Sequence, residues 1–279
     1  MPCRERRWAE ARRLDAVSST FEDGAPTLTA DELTLVFHRR AAAGDGGRYE
    51  LWTTTRKSRA EAFPPPERLA DVGSSADDAY PMLTSDGVTL LFASRRLDPD
   101  GPFRLFRAER PDVVVGFSPA TPVEPADAEA AGWPSRESSA LYPSLTPDRT
   151  SLYFSASDGP RELYRIFRSE RLESGDFAAP VPEMPAHETI SSVAFVMSSD
   201  RRTAFVSRGP EGGPYWIHAA VRPDASEPFG PFHPVDELKG GDTRAGWLSP
   251  DSCRLYLAKR RADAADPNDF DIYVADRRP

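Results

Sequence analysis

Cysteine is almost missing: the 279 residues contain two, Cys3 and Cys253, too few for a zinc cluster or a disulfide framework. Lysine is nearly as scarce. Lys57, Lys239 and Lys259 are three of 35 basic residues, and with abundant Ala and Pro this arginine bias reads as GC-rich coding rather than chemistry. No apolar run approaches the roughly 18 residues of a membrane span. The first residues, MPCRERRWAEARRLDAV, are charged but lack the apolar stretch of about 7–15 residues that a signal peptide requires. The expectation is a cytoplasmic chain as written, periplasmic or secreted if a leader has been removed. A net charge of −9 repels nucleic acid and anionic lipid, so neither is an expected partner. Enzyme signatures are also missing, since no G-x-S-x-G elbow, H-E-x-x-H helix or glycine-rich phosphate loop occurs.

What is present is repetition. YPMLTSDGVTLLFASR (80–95) and YPSLTPDRTSLYFSAS (142–157) are near copies. Counted from the turn Asp, the same frame recurs at Asp31, Asp86, Asp148, Asp200 and Asp251, each followed four to six residues on by an apolar triplet such as Leu35, Val36 and Phe37. A second signature closes each copy: YELWTTTR, FRLFRAER, YRIFRSER, YWIHAAVR and FDIYVADR, each ending in Arg. Short alternating segments rich in aromatics indicate strands. A third signature lies in Pro-rich surroundings between copies, at Phe63 with Leu69, Phe117 with Val123, Phe177 near Met184, and Phe229 with Val235. Proline confines such a strand to a sheet edge.

The third signature appears once more, before the first copy, as Trp8 and Leu14. An outer strand at the head and a last unit lacking one predict a closed ring. The fold expected is all-β, a five-bladed β-propeller of four-stranded antiparallel blades, with the N-terminal strand completing the last blade. The chain then forms a single domain, with blades at about 21–70, 77–124, 138–184, 190–236 and 243–277 plus 8–14. TSDG, TPDR and SPDS supply the turn residues between the inner strands.

YPSLTPDRTSLYF, YPMLTSDGVTLLF and FDIYVAD together resemble the WD40-like repeat of the TolB-type β-propellers over essentially the whole chain. The resemblance implies the fold and says little of function, because such propellers include binding partners, accessory domains of peptidases and lyases. Two copies depart from it. Phe195 and Gly246 stand where the others have Pro26, Pro81 and Pro143, which predicts distortion near the axis in the last two blades.

The loops expected at one face carry an acidic residue per blade: Glu22 and Asp23, Asp77 and Asp78, Glu137, Glu188, and Asp242. Cations join them at His38, Arg39 and Arg40, Arg95 and Arg96, Arg208, Arg244, and Lys259, Arg260 and Arg261. The site predicted for a ligand is this rim, represented by Asp23, Asp78, Glu137, Glu188, Asp242, His38, Arg40, Arg95, Arg208, Arg244, Arg260 and, with Phe195, Met197, Tyr80 and Tyr142 nearby, Trp247. A carboxylate ring could hold Ca²⁺, but carboxylates at the Asp23 and Asp78 positions more often cap loop amides, and no cofactor is expected. The arginines suit an anionic ligand, or pair with the acids as a solvated rim worth roughly 0–1 kcal/mol per pair. ADAADPNDFD (262–271) lacks the Gly and distal Glu of a calcium loop and reads as a solvated turn.

A clasp between Cys3 and Cys253 would tie the ring shut. Against it, inner and outer strands of one blade lie about 14 Å apart at about 4.8 Å per step, so two separate thiols are expected. Because the inner strands TLTAD, MLTSD and SLTPD are small and neutral before the turn, convergent catalytic carboxylates are not evident. The chain is therefore read as a monomeric, non-catalytic binding or scaffolding module for a protein, peptide or glycan. A carbohydrate-active hydrolase or lyase using rim carboxylates is the alternative.

Overall fold

The computed structural model describes residues 3–40, 47–123, 138–157, 163–184, 187, 189–262 and 269–278. Glu137, Glu188 and most of the 262–271 loop lie outside them. Twenty strands form five antiparallel sheets of four. The first blade holds β2 (Asp23–Leu28), β3 (Thr34–Arg40), β4 (Tyr49–Thr55) and β5 (Glu67–Arg68). The second holds β6 (Asp78–Leu83), β7 (Thr89–Ser94), β8 (Arg104–Glu109) and β9 (Thr121–Pro122). The third holds β10 (Ala140–Leu145), β11 (Ser151–Ser157), β12 (Tyr164–Glu170) and β13 (Val181–Pro182). The fourth holds β14 (Ile190–Met197), β15 (Thr203–Pro210), β16 (Trp216–Val221) and β17 (His233–Pro234). The fifth is β18 (Thr243–Leu248), β19 (Arg254–Arg260), β20 (Phe270–Asp276) and, from the other end of the chain, β1 (Arg12–Arg13).

Arg12 pairs with Val274 and Arg13 with Tyr273, so the head of the chain completes the last sheet. The terminal Arg of each closing signature explains why. Arg56, Arg110, Arg222 and Arg277 each donate Nε to a carbonyl of the inner turn, on Glu32, Gly87, Arg201 and Ser252. The same guanidinium lies over the outer aromatic, Phe63 at 4.2 Å, Phe117 at 4.4 Å, Phe229 at 4.2 Å and, in the last blade, Trp8 at 4.1 Å. Trp8 thus performs in the fifth blade the task that Phe63 performs in the first.

Five apolar clusters fill the five gaps between neighbouring blades. Phe37, Phe92 and Phe154, from equivalent positions, are fully buried there, and truncating one to Ala would cost about 3–5 kcal/mol. The turn aspartates knit the blades together at one face. Each accepts a hydroxyl two residues upstream, as in Thr84 to Asp86 and Thr146 to Asp148, and so fixes its own turn. Arg149 then reaches back to Asp86, Arg201 to Asp148, and Arg254 to Glu32 of the first blade. At the fourth blade Asp200 is met by Arg4 of the N-terminal arm at 3.2 Å.

That arm also corrects the reading of the cysteines. Cys3 and Cys253 are bonded, with Cα atoms 5.1 Å apart. The strand spacing applies to Trp8, whereas residues 3–7 leave the outer edge and run inward beneath the blade. There Arg277 joins them, donating its backbone N–H to Cys253 and its side chain to the Arg4 carbonyl.

Distortion near the axis follows a different pattern from the one expected. Ala25, Tyr80, Tyr142 and Ala194 all have left-handed φ, from 47° to 57°, at one register position of the inner strand. Each sits in a bulge where two residues oppose one. The fourth blade keeps this bulge despite Phe195. The fifth has the shorter irregularity between Ala245 and Trp247, because Gly246 is pressed against Pro26 so closely that a Cβ would lie 2.6 Å from its carbonyl oxygen.

Candidate functional site

The inner strands begin at the face away from the turns. Nine residues before each turn Asp, at or beside the start of the inner strand, stands Glu22, Asp77, Ser139, Ser191 or Asp242. Four of these side chains clamp the previous blade. Asp77 accepts the Tyr49 amide at 2.9 Å, Ser139 that of Phe103 at 3.2 Å, Ser191 that of Tyr164 at 3.0 Å and Asp242 that of Tyr215 at 3.0 Å. Glu22 is the exception. Among the described residues its carboxylate takes no amide; it accepts the Tyr49 hydroxyl at 2.7 Å and faces His38 Nε2 at 3.8 Å.

Around Glu22 the mouth is walled by tyrosines. The left-handed bulges of β6 and β10 bring Tyr80 and Tyr142 together with ring centroids 4.3 Å apart, and His38 packs edge-on against Tyr49 at 5.2 Å and Tyr80 at 5.0 Å. His38 is 2% exposed. Its Nδ1 accepts the Tyr80 amide at 3.1 Å, which assigns the ring proton to Nε2, and that N–H is left without a close protein acceptor. The ring lies over Gly24, where a Cβ would come within 2.4 Å of Nε2, so glycine there is a steric requirement.

From the fifth blade Arg244 completes the wall. It bonds both oxygens of Asp242 at 3.0 Å and lies over the Tyr215 ring at 4.1 Å. Burial opposes its charge, yet Tyr142 and Asp242 hold the guanidinium protonated above its ordinary range. Burial pushes the Tyr142 hydroxyl up to about 12, with Arg244 pulling the other way and Glu22 adding to the rise. Burial likewise raises Tyr80 well above its usual value and, with the Glu22 charge, raises Tyr49. These phenols stay neutral donors. The charges of Glu22 and Asp242, from adjacent blades, both add to the rise of Tyr142.

The predicted residues divide accordingly. His38, Asp242 and Arg244 come together at the mouth. Asp23 and Asp78 do not: both are buried caps. Asp23 accepts Ser19 N–H at 2.6 Å and Arg39 Nε at 2.6 Å, and Asp78 accepts Ser74 N–H at 2.7 Å and Arg96 at 2.7 Å. Arg40, Arg95 and Arg260 share a backbone duty, closing the inner hairpins by donating N–H to Glu22, Asp77 and Asp242 carbonyls. Arg95 also pairs loosely with Asp77 at 3.5 Å, and Arg208 is half-buried on β15 with no acceptor for its Nε. Trp247 is at the wrong end for the predicted rim. It sits at the far end of β18 and lines the opposite mouth with Met197. Phe195 is stacked on Tyr153 at 4.5 Å in the gap between blades. Tyr49 was missed; its only signal is that it opens the closing signature next to the acidic loop. Among the described residues no three His, Cys, Asp or Glu gather as a metal would need, and no helix is long and apolar enough to cross a membrane.

No family model matches the sequence, and no curated protein matches it. Solved structures do. An α-L-arabinofuranosidase from Podospora anserina, in complex with cellotriose, superposes with a TM-score of 0.63 at 13% identity, covering 98% of this chain and 97% of that one. A thermostable family-43 glycoside hydrolase gives 0.56 at 13% identity over 95% and 92%. TolB from Acinetobacter baumannii gives 0.55 at 13% identity over 93% of this chain and 56% of that one. At such identities the likeness shows the fold. It nevertheless overturns the reading of a non-catalytic binding or scaffolding module, which rested on the absence of enzyme motifs and on small, neutral inner strands. The same ring at full length is the body of these glycoside hydrolases.

Proposed function

We propose that the protein is a carbohydrate-active hydrolase working at the Glu22 mouth. The observation that supports it most directly is that Glu22, alone among the five equivalent positions in the described residues, is not spent on clamping a blade. Tyrosine faces suit the flat, weakly apolar side of a sugar ring, and neutral phenols suit its hydroxyls. In this reading Glu22 gives its proton to the leaving oxygen as the glycosidic C–O bond breaks, and water then adds its hydroxyl to the anomeric carbon and returns its proton to the Glu22 carboxylate. Asp242 is paired with Arg244 and holds that guanidinium in the wall of the mouth.

The likeness to arabinofuranosidases makes an α-L-arabinofuranoside the first substrate to try. The likeness to TolB supports assigning the repeat to the WD40-like TolB type. Residues 1–279 act as one domain and a monomer in this proposal, and the bonded cysteines favour an oxidising compartment such as the periplasm or the exterior. The test is release of aryl alcohol from aryl α-L-arabinofuranoside and related aryl glycosides, with Glu22→Gln beside the unaltered chain. Turnover lost by at least about 100-fold in the folded variant supports the role. No turnover on any glycoside, or a fully active variant, rejects it.

A further inference from the structure

We propose that the opposite mouth of the channel is a second binding site, for an uncharged bicyclic aromatic molecule carrying a hydrogen-bond acceptor. The observation that leads there is the misplaced tryptophan. Thr27, Met82, Ser144, Val196 and Trp247 occupy one register position on the five inner strands. A ring that only needed plugging would be served by similar residues at all five. Instead a small Ser144 faces large Met82 and Trp247, and a lopsided cavity of about 310 Å³ opens between the second, third, fourth and fifth blades.

Its walls set the chemistry. Met82, Leu145, Met197 and Trp247 are apolar and partly exposed. Thioethers adapt to a flat ring and contact it favourably. The indole plane is fixed edge-on by Tyr256 at 5.7 Å. Among the described residues the Trp247 N–H meets no acceptor, and in this proposal it is the donor that the ligand's acceptor meets. At the lip Asp86 and Arg149 bind each other, so no unmatched charge faces the cavity and a neutral ligand is favoured. The mouth is also lined by Thr84, Ser85, Thr146 and Ser199, and its volume of about 310 Å³ is sufficient for two fused rings.

The site is separate from the tyrosine mouth. Between them lies a waist of about 30 Å³ lined by Pro81, Tyr142, Pro143, Phe195 and Gly246, too small for a ring-sized ligand. The inference therefore stands independently of the glycosidase reading.

Coumarin, an uncharged fused-ring lactone with a carbonyl acceptor, is the probe. It is titrated into the full chain labelled with 5-fluorotryptophan and followed by fluorine NMR, the Trp247 resonance being the one missing from Trp247→Phe. The expected result is a saturable shift of that resonance with a dissociation constant below about 1 mM. Ser144→Leu, which fills the cavity and leaves Trp247 in place, weakens binding at least about tenfold, as does a carboxylate on the probe. No shift, a shift confined to another tryptophan, undiminished binding by a folded Ser144→Leu variant, or equal binding of the carboxylate overturns the proposal.

Discussion

The Nδ1 atom of His38 accepts the backbone N–H of Tyr80 at 3.1 Å, across the boundary between the first two blades. Tyr80 has φ of 53°, a conformation that costs energy for a bulky residue, and this bond is what the neighbouring blade contributes to holding it. His38→Ala strands a buried amide and empties the space beneath two phenols. The expected loss is about 1–3 kcal/mol, or a fall of several degrees in Tm. Gly24→Ala should give a comparable fall by driving its methyl into the imidazole. Thermal unfolding measures both, and an undiminished midpoint in His38→Ala would mean the Tyr80 bulge holds itself.

Burial raises the Tyr142 hydroxyl to about 12, against about 10 in an unfolded chain. The neutral form is favoured by the fold, so the associated stability is fully present below pH 10 and is lost as pH rises through 12. Urea midpoints measured from pH 9 upward should therefore fall, and should fall less steeply for Tyr142→Phe, which cannot ionise. Identical slopes for the two proteins would place the Tyr142 hydroxyl in water.

The ring was legible because repetition assigns the same residue to the same duty: a turn Asp bonded by its own Thr or Ser, and a closing Arg held between a turn carbonyl and an outer aromatic. Five copies of the turn and four of the clamp leave little freedom, and Trp8 could be recognised as the stray fifth outer aromatic. The site was less legible, for two reasons. Glu22 and Asp23 are adjacent acids, and strand alternation sends one to the mouth and the other into a buried cap; which goes where depends on the bulge that follows. Trp247 was assigned to the acidic rim because a repeat frame records position along a strand without saying that the strand spans the channel. Its two ends open at opposite mouths.

The Cys3–Cys253 bond spans 250 residues and ties the arm that carries Arg4 and Trp8 to the inner turn of the last blade. On the chain-entropy account such a long loop is worth roughly 5–6 kcal/mol. Cys253→Ser, or the parent chain in reductant, should unfold at distinctly lower urea. The first signal to change should be Trp8 fluorescence, as the outer strand detaches from β20. Free thiols by mass measurement in protein purified without reductant would refute the bond.

Asp23 and Glu22 offer the sharpest contrast between structural and chemical carboxylates. Asp23 is fully buried against Arg39 at 2.6 Å, and burial raises its proton affinity despite that partner. Asp23→Asn leaves the guanidinium of Arg39 poorly compensated, a change of the kind that costs about 3–5 kcal/mol. Glu22→Gln removes no blade clamp and should leave Tm within about a degree or two of the parent. On a glycoside that the parent cleaves, the order reverses. Per folded molecule, Asp23→Asn keeps kcat within about threefold, while Glu22→Gln loses the proton donor and with it at least about two orders of magnitude. Paired thermal and kinetic measurements on the two variants decide it, because a purely structural role for both acids would make activity follow stability in each.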